Sequence, residues 1–179
     1  MKGIYNMKKI LIVIDMQNDF VDGALGTPEA QKIAANVIQK IKEYPPENVF
    51  ATQDTHREDY LETSEGKHLP VTHCIRGSQG WEIIEGIKEL ILPDHIIEKP
   101  TFGSVNLALK LKEMNEQEAI AVELVGVCTD ICVVSNALLI KVQLPEVPIS
   151  IASDCCAGVT PHSHDAAIET MKMCQIEIL

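Results

Sequence analysis

A thiol, a carboxylate and an ammonium group brought together can cleave an acyl bond. The carboxylate takes the thiol proton, the cation stabilises the developing charge, and the thiolate attacks the carbonyl carbon. The 179-residue sequence offers such a set in Cys132, Asp15 and Lys99. Asp15 directly follows the aliphatic run Ile10–Ile14, Lys99 follows the short run at 95–98, and Cys132 lies just beyond the run that ends at Val125. Taken singly, each has an ordinary alternative: a turn or cap carboxylate, a solvated lysine, a small buried apolar side chain. Cys132 opens a predicted helix, where the dipole and free backbone amides favour a thiolate, and a lysine nearby would lower its pKa further. Cys128 shares the core alternative and is otherwise a redox partner for Cys132.

A second constellation is Asp54-x-His56, a mixed oxygen and nitrogen pair that suits Zn, Mn or Fe. Glu65 and His73 in the following loop can complete it, and His68 is a further candidate; the alternative is a polar loop with unconnected histidines. His162 and His164 open the last helix and read as capping residues. The sequence contains no GxSxG, no P-loop and no GxGxxG after the first strand, so serine-hydrolase, nucleotide and dinucleotide chemistry lack their usual devices.

The elements that must position these residues alternate along the chain. Strands are predicted at 8–14, 48–53, 95–98, 119–125, 147–152 and 174–179. Helices are predicted from Thr27-Pro28, over 81–92, from Ser104 to about Met114, from Ile131 to about Val142, and from Thr160-Pro161 to about Met173. The segment 60–80 lacks a period and reads as a long functional loop. The alternation predicts a single domain over 1–179, an α/β fold of Rossmann-like, three-layer α/β/α type with a six-stranded parallel sheet. Asp15, Asp54, His56, Lys99, Cys132 and Asp154 then all fall at the carboxyl rim, where open parallel sheets bind ligands.

With 15 Lys and Arg against 26 Asp and Glu, the net charge of −11 excludes a generic nucleic-acid or anionic-membrane surface. The expected partners are a small molecule and other copies of the chain, as a dimer or tetramer. The run at 10–14 is too short for a membrane span or a secretion signal, and the six cysteines are read as reduced, in a cytoplasmic protein.

Five segments in order resemble the nicotinamidase/isochorismatase-like cysteine hydrolases. They are Ile14-Asp15-Met16-Gln17-Asn18-Asp19-Phe20, Thr52-Gln53-Asp54-Thr55-His56, Pro70-Val71-Thr72-His73-Cys74, Glu98-Lys99-Pro100 and Gly126-Val127-Cys128-Thr129-Asp130-Ile131-Cys132-Val133. The resemblance implies a catalytic triad of Asp15, Lys99 and Cys132 and a thioester acyl-enzyme. It also implies a cis peptide before Cys128 and an oxyanion hole from the backbone amides of Cys128 and Cys132. One divalent ion, zinc by preference with Mn or Fe as alternatives, is implied on Asp54, His56, His73 and Glu65, where it orients a pyridine ring. Glu62 is the rival to Glu65, because 57–61 contains no third histidine.

Leu69 stands where relatives carry a ring-stacking aromatic, and Phe102-Gly103-Ser104 replaces a Tyr-Ser pattern, so the expected substrate walls are Phe20, Leu69 and Phe102. The implied reaction converts nicotinamide or a similar small amide to the acid and ammonia. The alternatives are an isochorismatase-like or N-carbamoyl hydrolase acting on another small substrate, and a non-catalytic binding or assembly module.

Overall fold

The computed structural model describes residues 7–179. Six parallel strands form one sheet: β1 (Lys8–Ile14), β2 (Val49–Asp54), β3 (Ile96–Lys99), β4 (Ile120–Val127), β5 (Ile149–Ala157) and β6 (Glu177–Ile178), in the order β3-β2-β1-β4-β5-β6. The fold is the expected Rossmann-like α/β arrangement. β1 sits inside the sheet, and its side chains feed both layers alternately. Ile10, Ile12 and Ile14 join the core under α4 (Val105–Gln117), α5 (Val134–Gln143) and α6 (Pro161–Met173); Leu11 and Val13 join the core under α1 (Asn18–Val21) and α2 (Pro28–Ile41).

Sequence signals account for the helix starts. Thr27 Oγ1 accepts from Ala30 N at 3.0 Å with Pro28 in the first turn, and Ser104 Oγ accepts from Leu107 N at 3.2 Å. Thr160 and Ser163 form a reciprocal capping box on α6. The caps of α6 are therefore Thr160 and Ser163, and His162 and His164 have no capping role.

Four expectations are corrected. The segment 81–92 is not a helix and contains only a 3-10 turn at Lys88–Leu90. Ile83, Ile87 and Ile91 do bury at helical spacing, but Gly86 sits at φ +86, outside helical space. The segment's backbone instead pairs with the start of the chain, through a Gln17–Ile83 bridge and Ile84 N donating to Met16 O at 2.9 Å. The last strand is short, because Gln175 turns the chain at φ 64 before Glu177. Within 60–80 the chain forms a five-residue helix, α3 (Ser64–His68). Cys132 lies not on an α-helix but in a π-helical turn, Thr129–Val133, that precedes α5.

Strand register sets up the rim. Asp54 and Lys99 are paired positions of β2 and β3, and Ile14 pairs with Gly126 of β4. Gly126 takes φ +116, and a Cβ there would overlap the backbone of Ile14, so only glycine lets β4 approach β1 at this point. Among the described residues, no helix is long and apolar enough to cross a membrane.

Candidate active site

β1 ends at Asp15, whose φ of 47 is a left-handed conformation that Asp tolerates better than most residues. The carboxylate is fully buried. Its Oδ1 accepts from Thr52 Oγ1 at 2.6 Å, and Oδ2 lies 2.6 Å from Lys99 Nζ. That approach is a buried ion pair.

Lys99, 1% exposed, also donates to Asp54 Oδ1 at 3.2 Å, to Thr101 O at 3.0 Å and to Cys132 Sγ at 3.6 Å. Burial works against its charge, but Asp15, Cys132 and Asp54 outweigh that and raise its pKa, so it stays an ammonium. Asp15 is raised above the ordinary carboxylate value, first by burial and then by Asp54, with Lys99 pulling the other way. Cys132 is raised well above an ordinary thiol by burial and by the Asp15 carboxylate, which outweigh Lys99. This corrects the expectation of a lowered thiol pKa. Burial and the adjacent Asp15 carboxylate thus favour the protonated thiol.

The second constellation adjoins the first through Asp54. Its Oδ1 faces Lys99, while its Oδ2 lies 2.9 Å from His56 Nε2 and 3.8 Å from His73 Nε2. Glu65 Oε1 lies 3.7 Å from His56 Nε2 and 3.9 Å from His73 Nε2. Among the described residues, the buried His56 Nε2 has no hydrogen-bond partner and faces the Asp54 and Glu65 carboxylates. His73 Nδ1 donates to Val71 O at 2.8 Å, which leaves Nε2 with its lone pair free. Ligand atoms of Asp54, His56 and His73 all lie within 4.8 Å of one another. Converging imidazole and carboxylate atoms at these separations fit one divalent ion held by bonds of about 2 Å. His68 does not join them: its Nδ1 bonds Ser64 O within α3. Glu62 is exposed, whereas Glu65 is half-buried and faces the group.

One cavity of about 210 Å³ connects the two constellations. Cys132, Cys128, Asp54, His73 and Glu65 line its reactive side, and Phe20, Leu69 and Phe102 line its walls. Four further wall residues, Leu25, Thr27, Ile131 and Val159, were not among the expected substrate walls. Among the described residues, neither Lys nor Arg lines it. The Val127–Cys128 peptide is cis.

Residues 9–179 match the family described as Isochorismatase domain. The chain belongs to the isochorismatase family. A Bacillus subtilis relative, an uncharacterized isochorismatase family protein, is 33% identical over 146 residues, which cover 74% of this chain and 78% of that one. The nicotinamidase of Schizosaccharomyces pombe is 26% identical over 204 residues, covering 94% of this chain and 91% of its own. The pyrazinamidase of Pyrococcus horikoshii, solved in complex with zinc, superposes with a TM-score of 0.79 at 27% identity, covering 96% and 98%. This isochorismatase-family chain is thus an enzyme, a hydrolase similar to nicotinamidases and pyrazinamidases.

Uncharged buried side chains brace the site. Gln17 Oε1 accepts from Asp54 N at 2.7 Å, and its Nε2 donates to Asp54 O and Trp81 O, each at 2.8 Å. Asn136 Nδ2 donates to Cys132 O at 2.8 Å and Phe102 O at 3.0 Å, and its Oδ1 accepts from Ser104 N at 2.9 Å. Sequence reasoning missed Asn136 altogether and saw Thr52 only as part of the Thr52–His56 segment. Gln17 was visible only as part of the Asp15-x-Gln17-Asn18-Asp19 run.

Proposed function

We propose that the enzyme is a metal-assisted cysteine amidohydrolase that converts nicotinamide, or a similarly small neutral aromatic amide, to the acid and ammonia. One observation carries this reading: a buried Cys–Asp–Lys cluster opens on a cavity that a carboxylate–imidazole group borders and that, among the described residues, no free cation lines. Acidic substrates such as N-carbamoyl amino acids or isochorismate would need a basic partner. Here Lys99, the buried ammonium beside the cavity, is already shared between Asp15 and Asp54. A neutral amide meets no such cost.

In the proposed reaction Asp15 Oδ2 takes the Cys132 proton as Sγ bonds the amide carbon. Lys99 keeps its proton throughout and stabilises the thiolate across 3.6 Å. The backbone amides of Cys128 and Cys132 are assigned to the developing oxyanion. Asp15 then passes the proton to the departing nitrogen, the C–N bond breaks, and ammonia leaves a thioester on Cys132. Water, deprotonated by Asp15, attacks the thioester; Sγ recovers the proton and the acid departs.

Asp54, His56, His73 and Glu65 would hold the divalent ion, zinc by preference for a mixed nitrogen and oxygen set. When bound, the ion supplies a Lewis acid that anchors a ring nitrogen and so orients the amide. Phe20, whose ring centroid lies 5.5 Å from that of His73, then faces one side of the substrate ring.

The test is a panel of nicotinamide, pyrazinamide and N-carbamoyl acids with ammonia detection. Release from the neutral aromatic amides is expected. Release from the carbamoyl acids alone would replace this reading with the second one.

A further inference from the structure

Cys132 stands in a π-helical turn rather than on a regular helix, so something must fix that turn against its neighbours. Within the turn, Cys128 O accepts from Ile131 N at 3.1 Å and from Val133 N at 3.0 Å. Two further ties reach it from the stretch where the neighbouring strand β5 runs into α6. Thr129 Oγ1 shares a hydrogen bond of 2.8 Å with His164 Nδ1. The Asp130 carboxylate accepts from Val159 N at 3.1 and 3.2 Å. Thr129 is fully buried and His164 is half-buried.

The anchoring side is itself stiff. The capping box of Thr160 and Ser163 fixes the first turn of α6, and His164 N donates to Thr160 O at 3.0 Å. Gly158 permits the close approach, since a Cβ there would press against the backbone and Cβ of His164. His164 does not line the substrate cavity, so it has no direct route to the reacting atoms.

We infer that His164 is a positioning residue for the nucleophile, acting through Thr129 to hold the turn that carries Cys132 and the amides assigned to the oxyanion. The inference rests on the reading of Cys132 as nucleophile. Its dependence is geometric: a shift of about 1 Å in a reacting group can cost on the order of 10²-fold in rate, with little effect on substrate affinity.

The experiment compares His164→Ala, His164→Asn and His162→Ala in the full chain. His162 lies exposed on the same helical turn and serves as the control. Nicotinamide kcat and KM are measured per Cys132 site, titrated by iodoacetamide and mass spectrometry, together with the rate of that alkylation. His164→Ala is expected to lower kcat per site by about ten- to 10²-fold with KM nearly unchanged, and to alter the alkylation rate. His164→Asn, whose amide can reach where Nδ1 reaches, is expected to recover most of the loss, and His162→Ala to match the parent.

The inference is overturned if kcat per intact site and the alkylation rate are unchanged in His164→Ala, or if His164→Asn is as impaired as His164→Ala. Failure of the parent reading looks different: the parent protein would then leave nicotinamide intact, while the alkylation comparison would still report on the turn.

Discussion

The cluster around Cys132 and the group around His56 share one cavity but not one kind of support. Asp15 directly follows β1, Lys99 ends β3, and Cys132 lies in the π-helical turn after β4; each is buried to within a few per cent. The strand ladder sets the Asp15–Lys99 separation, where an altered distance would mean an altered register, and the turn carries Cys132 to them. In the other group only Asp54 belongs to a strand. Glu65 comes from a five-residue helix, and His73 from an irregular segment tied down by Asp19 Oδ2 accepting from Cys74 N at 2.7 Å and Tyr60 Oη donating to Leu69 O at 2.9 Å. The Cys–Asp–Lys cluster is therefore held by the sheet and the turn at its end. The carboxylate–imidazole group is assembled by loops that a bound ion would tighten. Asp54 joins the two, with one oxygen toward Lys99 and the other toward His56.

That contrast breaks if substitutions on the sheet side and the loop side have the same signature. The largest effect is expected from Asp15→Asn, which keeps the shape but cannot take the thiol proton. kcat/KM should fall by about 10²–10⁴-fold, and a stopped assay of ammonia release checks it. Lys99→Met should act on stability as well as rate. It leaves Asp15 and Asp54 buried without their cation, which typically costs about 3–5 kcal/mol. Urea denaturation of the variant beside Cys132→Ala, which removes no charge, separates that cost from loss of the active site.

On the loop side, chelation or His73→Ala should raise KM for nicotinamide by roughly ten- to a hundredfold. Iodoacetamide should still alkylate Cys132 at close to the parent rate. Elemental analysis of the purified protein supplies the ion content for that comparison. The smallest effect is expected at the wall: Leu69→Phe adds a ring that can stack on the substrate, worth about 0.5–1.5 kcal/mol. A several-fold lower KM with kcat held would show it.

The strands were legible because each ends an aliphatic run at a polar residue, and a parallel sheet aligns such ends on one rim. That was enough to bring Asp15, Asp54, Lys99 and Cys132 together from positions more than a hundred residues apart. The contacts of Thr52 and Asn136 escaped notice because uncharged polar residues inside regular elements carry no pattern; only the fold shows that they face buried partners. Leu25, Ile131 and Val159 are apolar like any core residue, so sequence does not separate a cavity wall from packing. The segment 81–92 misled for the opposite reason. Its buried isoleucines keep helical spacing while its backbone bonds to the Met16–Asp19 stretch. The state of the Cys132 thiol also lay beyond sequence, because it depends on how deeply Asp15 and Sγ are buried together.

The central claim is that Cys132 carries the acyl group of a small neutral amide. Rapid acid quench of the enzyme with nicotinamide, followed by peptide mass spectrometry, tests it most directly. The account predicts a nicotinoyl adduct on the peptide bearing Cys132 during turnover, with ammonia released, and neither adduct nor turnover in Cys132→Ala. Ammonia release by Cys132→Ala at the parent rate, with no acylated cysteine in either protein, would contradict it.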